Sequence, residues 1–141
     1  RGCPAFLFEH SGEVFYGFPQ IDSLGVKVAE HSGGKTIDDP SKTSQQATPG
    51  EIAAVERFIG QSLPQVSLRR NRTEVCHYTM SPDHHFLVDR HPRHSNVAFA
   101  AGLSGHGFKF ATVLGEALVD LACEGGSDLP IGFLGLNRPT L

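Results

Sequence analysis

The sequence has no tryptophan, one methionine and three cysteines. Cys3, Cys76 and Cys123 are odd in number, far apart and in no CxxC, which argues against a disulfide framework or a structural zinc site. Such cysteine usage favours a reducing compartment, and a cytoplasmic location is the expectation. Charge is sparse as well: 19% of residues are Asp, Glu, Lys or Arg, and the net charge is −3. A general nucleic-acid or anionic-membrane binder needs a basic excess, so neither partner is expected. No apolar run approaches the roughly 18 residues of a membrane span, and the opening residues carry no signal-peptide pattern. Internal repeats, low-complexity stretches and an HExxH motif are absent too.

What is present is ordinary globular composition over 141 residues, 39% of them hydrophobic. That length suits one domain, or one and a half. Two features are unusual. Of eight His, five (His77, His84, His85, His91, His94) fall between positions 77 and 94. The chain also opens on Arg1 and runs almost at once into Phe6-Leu7-Phe8, which suggests a fragment of a longer protein.

Residues 6–18 read as a hairpin: Phe6–Glu9 and Val14–Tyr16 flank a turn in which Gly12 supplies the bend. Residues 25–31 alternate, with Val26 and Val28 on one face and Lys27, Ala29 and His31 on the other. Residues 32–50 are rich in Gly, Pro, Ser and Thr and read as a long loop. Thr48-Pro49-Gly50-Glu51 is a helix start, with Thr as N-cap and Glu three residues on. That helix is expected to reach about Gly60 and to bury Ile52, Val55, Phe58 and Ile59. Arg69, Arg70 and Arg72 read as a solvated edge before a strand over 74–79, and Phe86–Val88 as a further strand. The apolar run 96–101 suits a strand buried on both faces. A Gly-rich turn, 102–107, leads into a helix from about Phe108 to Ala122, ended by Gly125-Gly126. Its polar stripe (Lys109, Thr112, Glu116, Asp120) is narrow, so burial on most sides is expected. The fold class is therefore α+β: a mixed or antiparallel sheet with helices over 1–95, then over 96–141 a strand–glycine turn–helix segment of α/β type. The composition shift near residue 95 suggests passage from one domain into another.

Three groups of residues could carry chemistry. In the 102–107 turn, glycines admit a ligand close to the backbone, and the free amides of a helix start favour negative charge. His106 and Lys109 stand beside it. The turn is neither a Walker loop nor a GxGxxG fingerprint; its alternative is a tight structural turn. Cys76 and Tyr78, two apart on the expected strand, would share a face, as nucleophile or covalent attachment point, or else as a packed core pair. Lys27 and His31 share a face of their strand, either inward with a role or outward and solvated. For the His cluster the spacing suits surface and loop positions better than a metal site, so no metal is expected.

Taken together these residues resemble the C-terminal part of the monomeric sarcosine oxidase family, FAD-dependent amine oxidases that include N-methyltryptophan oxidase. The most specific segment is Gly102-Leu103-Ser104-Gly105-His106-Gly107-Phe108-Lys109-Phe110. Next come Cys76-His77-Tyr78-Thr79, Pro82-Asp83-His84-His85-Phe86 and Asp89-Arg90-His91-Pro92. Tyr16-Gly17-Phe18-Pro19, Lys27 with His31, and Asn137-Arg138-Pro139 fall in the family's order and spacing. The resemblance covers essentially the whole chain.

It implies covalent FAD, through a thioether from Cys76. It implies that Lys27 lies over the flavin and promotes its reaction with oxygen, and that Lys109 holds a substrate carboxylate. Tyr16, Tyr78, His31 and His106 would line the substrate side, with Gly105, His106, Gly107, Phe108 and Lys109 along the cofactor. Residues 1–95 would belong to the substrate domain, and 96–141 would complete the FAD-binding domain. The partners implied are a small secondary amino acid and oxygen, and a monomer is expected for the full-length protein. Two family features are missing from these residues: the GxGxxG unit for the ADP half of FAD, and an arginine that helps bind the carboxylate. His84 stands where an acid is common, and Ala29-Glu30 before His31 is a minor departure. Both leave the amine substrate open. Alternatives are a relative with non-covalent FAD, whether oxidase or dehydrogenase, and a non-catalytic ligand-binding domain. The chain by itself is expected to be inactive and to expose apolar surface.

Overall fold

A computed structural model describes residues 4–141, so Arg1 and Cys3 lie outside the described residues. The chain divides into two compact units, with the boundary between Cys76 and His77.

The first unit is a three-stranded antiparallel meander with one helix. Strands β1 (Phe6–His10) and β2 (Glu13–Phe18) form the expected hairpin, closed by Ser11 and Gly12. Both turn residues have positive φ, 52° and 84°, the two-residue geometry that matches the twist of the flanking strands. Strand β3 (Lys27–Glu30) pairs with β2, Phe18 opposite Lys27 and Tyr16 opposite Ala29. Helix α1 (Pro49–Ser62) begins with the capping box foreseen from Thr48 and Glu51: each side chain bonds the other residue's backbone N–H. Because side chains alternate along a strand, Phe15 faces α1 while Tyr16 faces away. Phe15 stacks on Phe58 with ring centroids 4.4 Å apart, and Phe8 meets Phe58 edge-on at 5.5 Å. Phe15, Phe58 and Ile59 are this unit's buried hydrophobic residues.

The second unit is a hairpin covered by a helix. Strands β4 (Leu87–His91) and β5 (His94–Ala101) pair antiparallel across the turn Pro92-Arg93. A short 3-10 segment, Phe108–Phe110, continues into helix α2 (Ala111–Cys123). Phe86, Val88, Leu114, Leu121 and Leu134 form the core, with Ala98 and Ala100 packed against it.

Four expectations are corrected here. Residues 74–79 join no sheet: their described backbone bonds are isolated ones, Val75 N–H to the Gln45 carbonyl and the Thr79 carbonyl from Ser104 N–H. β-propensity cannot make a strand without a partner edge, so Cys76 and Tyr78 do not share a strand face. β5 is half-buried, not covered on both sides: Ala98 and Ala100 meet the core while Val97 is exposed. A run of small apolar residues has no period to distinguish these cases. Helix α2 buries one stripe, Leu114, Ala117 and Leu121, and leaves Val119 62% exposed. The strand expected from Phe86 begins at Leu87, and His84 ahead of it has φ 61°.

No helix among the described residues is long and apolar enough to cross a membrane. Nor do three His, Cys, Asp or Glu side chains gather there into a metal-sized group.

Candidate active site

The first unit brings three of the expected residues together. Tyr16, Phe18, Lys27 and His31 lie on the face of the sheet opposite α1, because their positions share one parity across the β2–β3 register. The Lys27 Nζ stands 5.2 Å from the Tyr16 ring centroid and 5.5 Å from that of Phe18. His31 meets the Tyr16 ring edge-on at 6.2 Å. Among the described residues no carboxylate forms an ion pair with this cation, which the ring faces attract. The sheet thus offers an exposed cation, a phenol and an imidazole on one surface.

The second unit assembles the turn. Ser104 is its anchor: its N–H donates to the Thr79 carbonyl at 3.0 Å, and its hydroxyl donates to the Gly102 carbonyl at 3.0 Å. The Nδ1 of His106 lies 3.0 Å from the Ser104 carbonyl, and its ring is tilted 38° against that of Phe86 with centroids 4.8 Å apart. Gly105, at φ 77°, passes beneath the Tyr78 ring so closely that a Cβ there would lie 2.6 Å from ring carbons. Tyr78, Gly105 and His106 are therefore one packed cluster. Phe108 and Lys109 open the 3-10 turn; Phe108 is 96% exposed and the Lys109 Nζ stands 5.5 Å from the Phe110 ring centroid. No side chain caps this helix start at Gly107 or Phe110; the Phe110 and Ala111 amides bond the Gly107 and Phe108 carbonyls of the 3-10 turn instead. Cys76, the last residue of the first unit, carries an exposed thiol.

The most heavily bonded ion pair joins two residues that sequence reasoning assigned no role, Asp83 and Arg138. Arg138 grips Asp83 with two bonds, Nε to Oδ2 at 2.6 Å and Nη2 to Oδ1 at 2.8 Å. Their side chains are only 5% and 10% exposed. The Thr140 hydroxyl and His85 N–H also donate to Asp83, and the Ser81 hydroxyl, which donates to the His85 carbonyl at 2.6 Å, lies 3.2 Å away. The Arg138 guanidinium, followed by the Thr140 hydroxyl, holds the Asp83 carboxyl far below the usual carboxylate range, and Asp83 in turn raises Arg138. A depressed carboxyl stabilises the fold above its unfolded value, near ~3.9, and loses that contribution as pH falls toward the folded value. Asp83→Asn should therefore lower stability by a constant amount from neutral pH down to about pH 4, the gap to the parent narrowing below that. Urea unfolding at stepped pH measures it; a gap that widens in acid would contradict the assignment.

Residues 2–121 match the family of FAD dependent oxidoreductases called DAO, and the chain belongs to that family. Within it, the chain is similar to proteins named monomeric sarcosine oxidase. That of Bacillus sp. (strain NS-129) is 42% identical over 139 residues, covering 98% of this chain and 36% of that protein. That of Arthrobacter sp. (strain TE1826) is 40% identical over 142 residues, covering 100% and 36%. The N-methyl-L-tryptophan oxidase of Citrobacter koseri is 38% identical over 139 residues, covering 97% and 37%. The chain thus spans little more than a third of the length of the curated relatives it matches. Among solved structures, the open form of NikD, an unusual amino acid oxidase essential for nikkomycin biosynthesis, superposes with a TM-score of 0.66 at 20% identity. It covers 94% of this chain and 37% of that one, and supports the α+β fold of small antiparallel sheets and two helices.

FAD, the group the family binds, suits the donor chemistry at the start of the second helix. Lys109 and the exposed Phe108 ring offer anion-binding and stacking contacts there.

Proposed function

We propose that the full-length protein oxidises the C–N bond of a secondary amino acid, sarcosine or another N-methyl amino acid. The substrate loses two electrons and two protons to give an imine, which water hydrolyses; oxygen gains both and leaves as hydrogen peroxide. When bound, FAD supplies the electron transfer between the two. Residues 1–95 serve the substrate side in this proposal, and 96–141 complete the FAD side.

The observation that carries the reading is the Lys27 ammonium on the aromatic face of the first sheet, 5.2 Å from the Tyr16 ring centroid. A positioned cation stabilises negative charge where oxygen takes up electrons, and it needs no reorganisation to do so. Tyr16 and His31, on that same face, are positioned to orient an amine. Lys109 supplies charge-assisted hydrogen bonds to a substrate carboxylate. Tyr78 and His106 belong to the substrate lining in this reading, with Gly105, Gly107 and Phe108 along the cofactor. The positive end of the helix that follows Gly107 favours negative charge at the flavin's edge.

Cys76 is assigned as the covalent attachment point. Its thiol is exposed, so Cys76→Ser opens no cavity and should leave unfolding unchanged. Flavin absorbance should stay with the acid-precipitated parent protein and pass to the supernatant for Cys76→Ser. Absorbance retained in the variant pellet would remove Cys76 from the role; release from the parent would favour non-covalent FAD. The 141 residues alone contain no GxGxxG, so the isolated chain should purify without flavin absorbance.

A further inference from the structure

Two of the features at the 102–107 turn lead back to one residue outside it. Ser81 and Ser104 are the buried polar residues among those described, 4% and 5% exposed. Their hydroxyls lie 3.4 Å apart, and the Ser81 N–H also points to the Ser104 hydroxyl. The Ser81 hydroxyl lies 3.2 Å from Asp83 Oδ1 and 2.6 Å from the His85 carbonyl. Arg138 holds that carboxylate by its fork and spends its remaining donors on carbonyls: Nη1 to Phe86 at 3.0 Å and Leu134 at 2.9 Å, Nη2 to His85 at 3.3 Å. One path therefore runs from Arg138 Nη2 to the His85 carbonyl, which also accepts the Ser81 hydroxyl, and from the Ser81 N–H to the Ser104 hydroxyl, in the residue whose carbonyl lies beside His106 Nδ1. The other runs from Arg138 to the backbone of Phe86, whose ring lies tilted against His106 and meets Phe110 edge-on at 5.5 Å.

We infer that Arg138 is a positioning residue: from the C-terminal tail it fixes the orientation of the His106 imidazole and the conformation of the 102–107 turn. Both neighbours that define His106, the Ser104 carbonyl and the Phe86 ring, are set by groups the Arg138–Asp83 pair holds. Ser104 is itself in the left-handed region, at φ 47°, a conformation that persists only where its surroundings over-determine it. The guanidinium fork matters more than the charge, because a lysine ammonium cannot hold both carboxylate oxygens and the Phe86 and Leu134 carbonyls at once. The catalytic consequence rests on the placement of His106 in the site proposed above; the structural coupling does not.

The test is made on the full-length protein with isotope-labelled histidine, the His106 signal being assigned by His106→Gln. Arg138→Lys should shift the His106 ring resonances and raise amide exchange at Ser104 and His106 at least tenfold. Arg93→Lys, an arginine outside both paths, should change neither. If Arg138→Lys fails to fold, Thr140→Val carries the test, since it removes one donor to Asp83 and leaves the pair; a smaller shift in the same direction is expected. Unmoved His106 resonances and unchanged exchange in the folded variant overturn the inference. Should the signals shift while His106→Gln leaves substrate oxidation intact, the coupling holds and the placement of His106 in the active site fails.

Discussion

Replacing Gly105 with alanine will loosen the 102–107 turn and displace the Tyr78 ring, and replacing it with valine will do so more severely. Two costs add. At φ 77° a residue with a Cβ pays about 1–2 kcal/mol for the left-handed region. The new carbon would also start 2.6 Å from two Tyr78 ring carbons, far inside the roughly 3.5–4.0 Å optimum for carbon pairs. Tyr78 is partly exposed and can swing, but only by leaving the turn it covers. Valine adds β-branching, which narrows the backbone further. Destabilisation of about 2–4 kcal/mol is expected for valine, within the range for strain combined with overpacking. Because the chain has no tryptophan and two tyrosines, tyrosine fluorescence during urea unfolding, with Tyr16→Phe as background, isolates the Tyr78 signal. An unfolding midpoint for Gly105→Val equal to that of the parent would mean the turn is not packed as described.

The second large effect is kinetic. Lys27→Met should slow reoxidation of the reduced full-length protein by oxygen on the order of 10²-fold, the scale for removing one preorganised charge-stabilising group. Reduction by substrate should change by less than roughly tenfold, since the cation acts where negative charge develops and that step sends electrons the other way. Methionine keeps the length of the stem, and Lys27 is exposed, so packing loss should not mimic the result. Stopped-flow absorbance separates the half-reactions. Equal slowing of both would assign Lys27 to binding or folding.

Local features were legible in the sequence because their causes are local. Ser11-Gly12 between apolar runs demands a hairpin, and Thr48-Pro49-Gly50-Glu51 contains the whole capping box. The alternation of residues 25–31 was enough to place Lys27 and His31 on one face, but the aromatic partners of Lys27 came only with the β2–β3 register. What failed depended on partners elsewhere in the chain. Residues 74–79 have strand-forming composition and no edge to join. The 97–101 end of β5 and most of α2 are apolar, and composition alone does not say which side meets the core. Asp83 and Arg138 are 55 positions apart, so no spacing rule connects them. The local hints were the Ser81-Pro82-Asp83 turn chemistry, which places a carboxylate where it accepts nearby N–H groups, and an arginine in a short tail otherwise poor in charge.

The most direct test of the account is anaerobic mixing of the full-length protein with sarcosine or another N-methyl amino acid, followed by admission of oxygen. Flavin absorbance should bleach with substrate and return with oxygen, and hydrogen peroxide should appear in equal amount to the substrate consumed. Protein that holds no flavin, or holds flavin that no N-methyl amino acid bleaches, would contradict it.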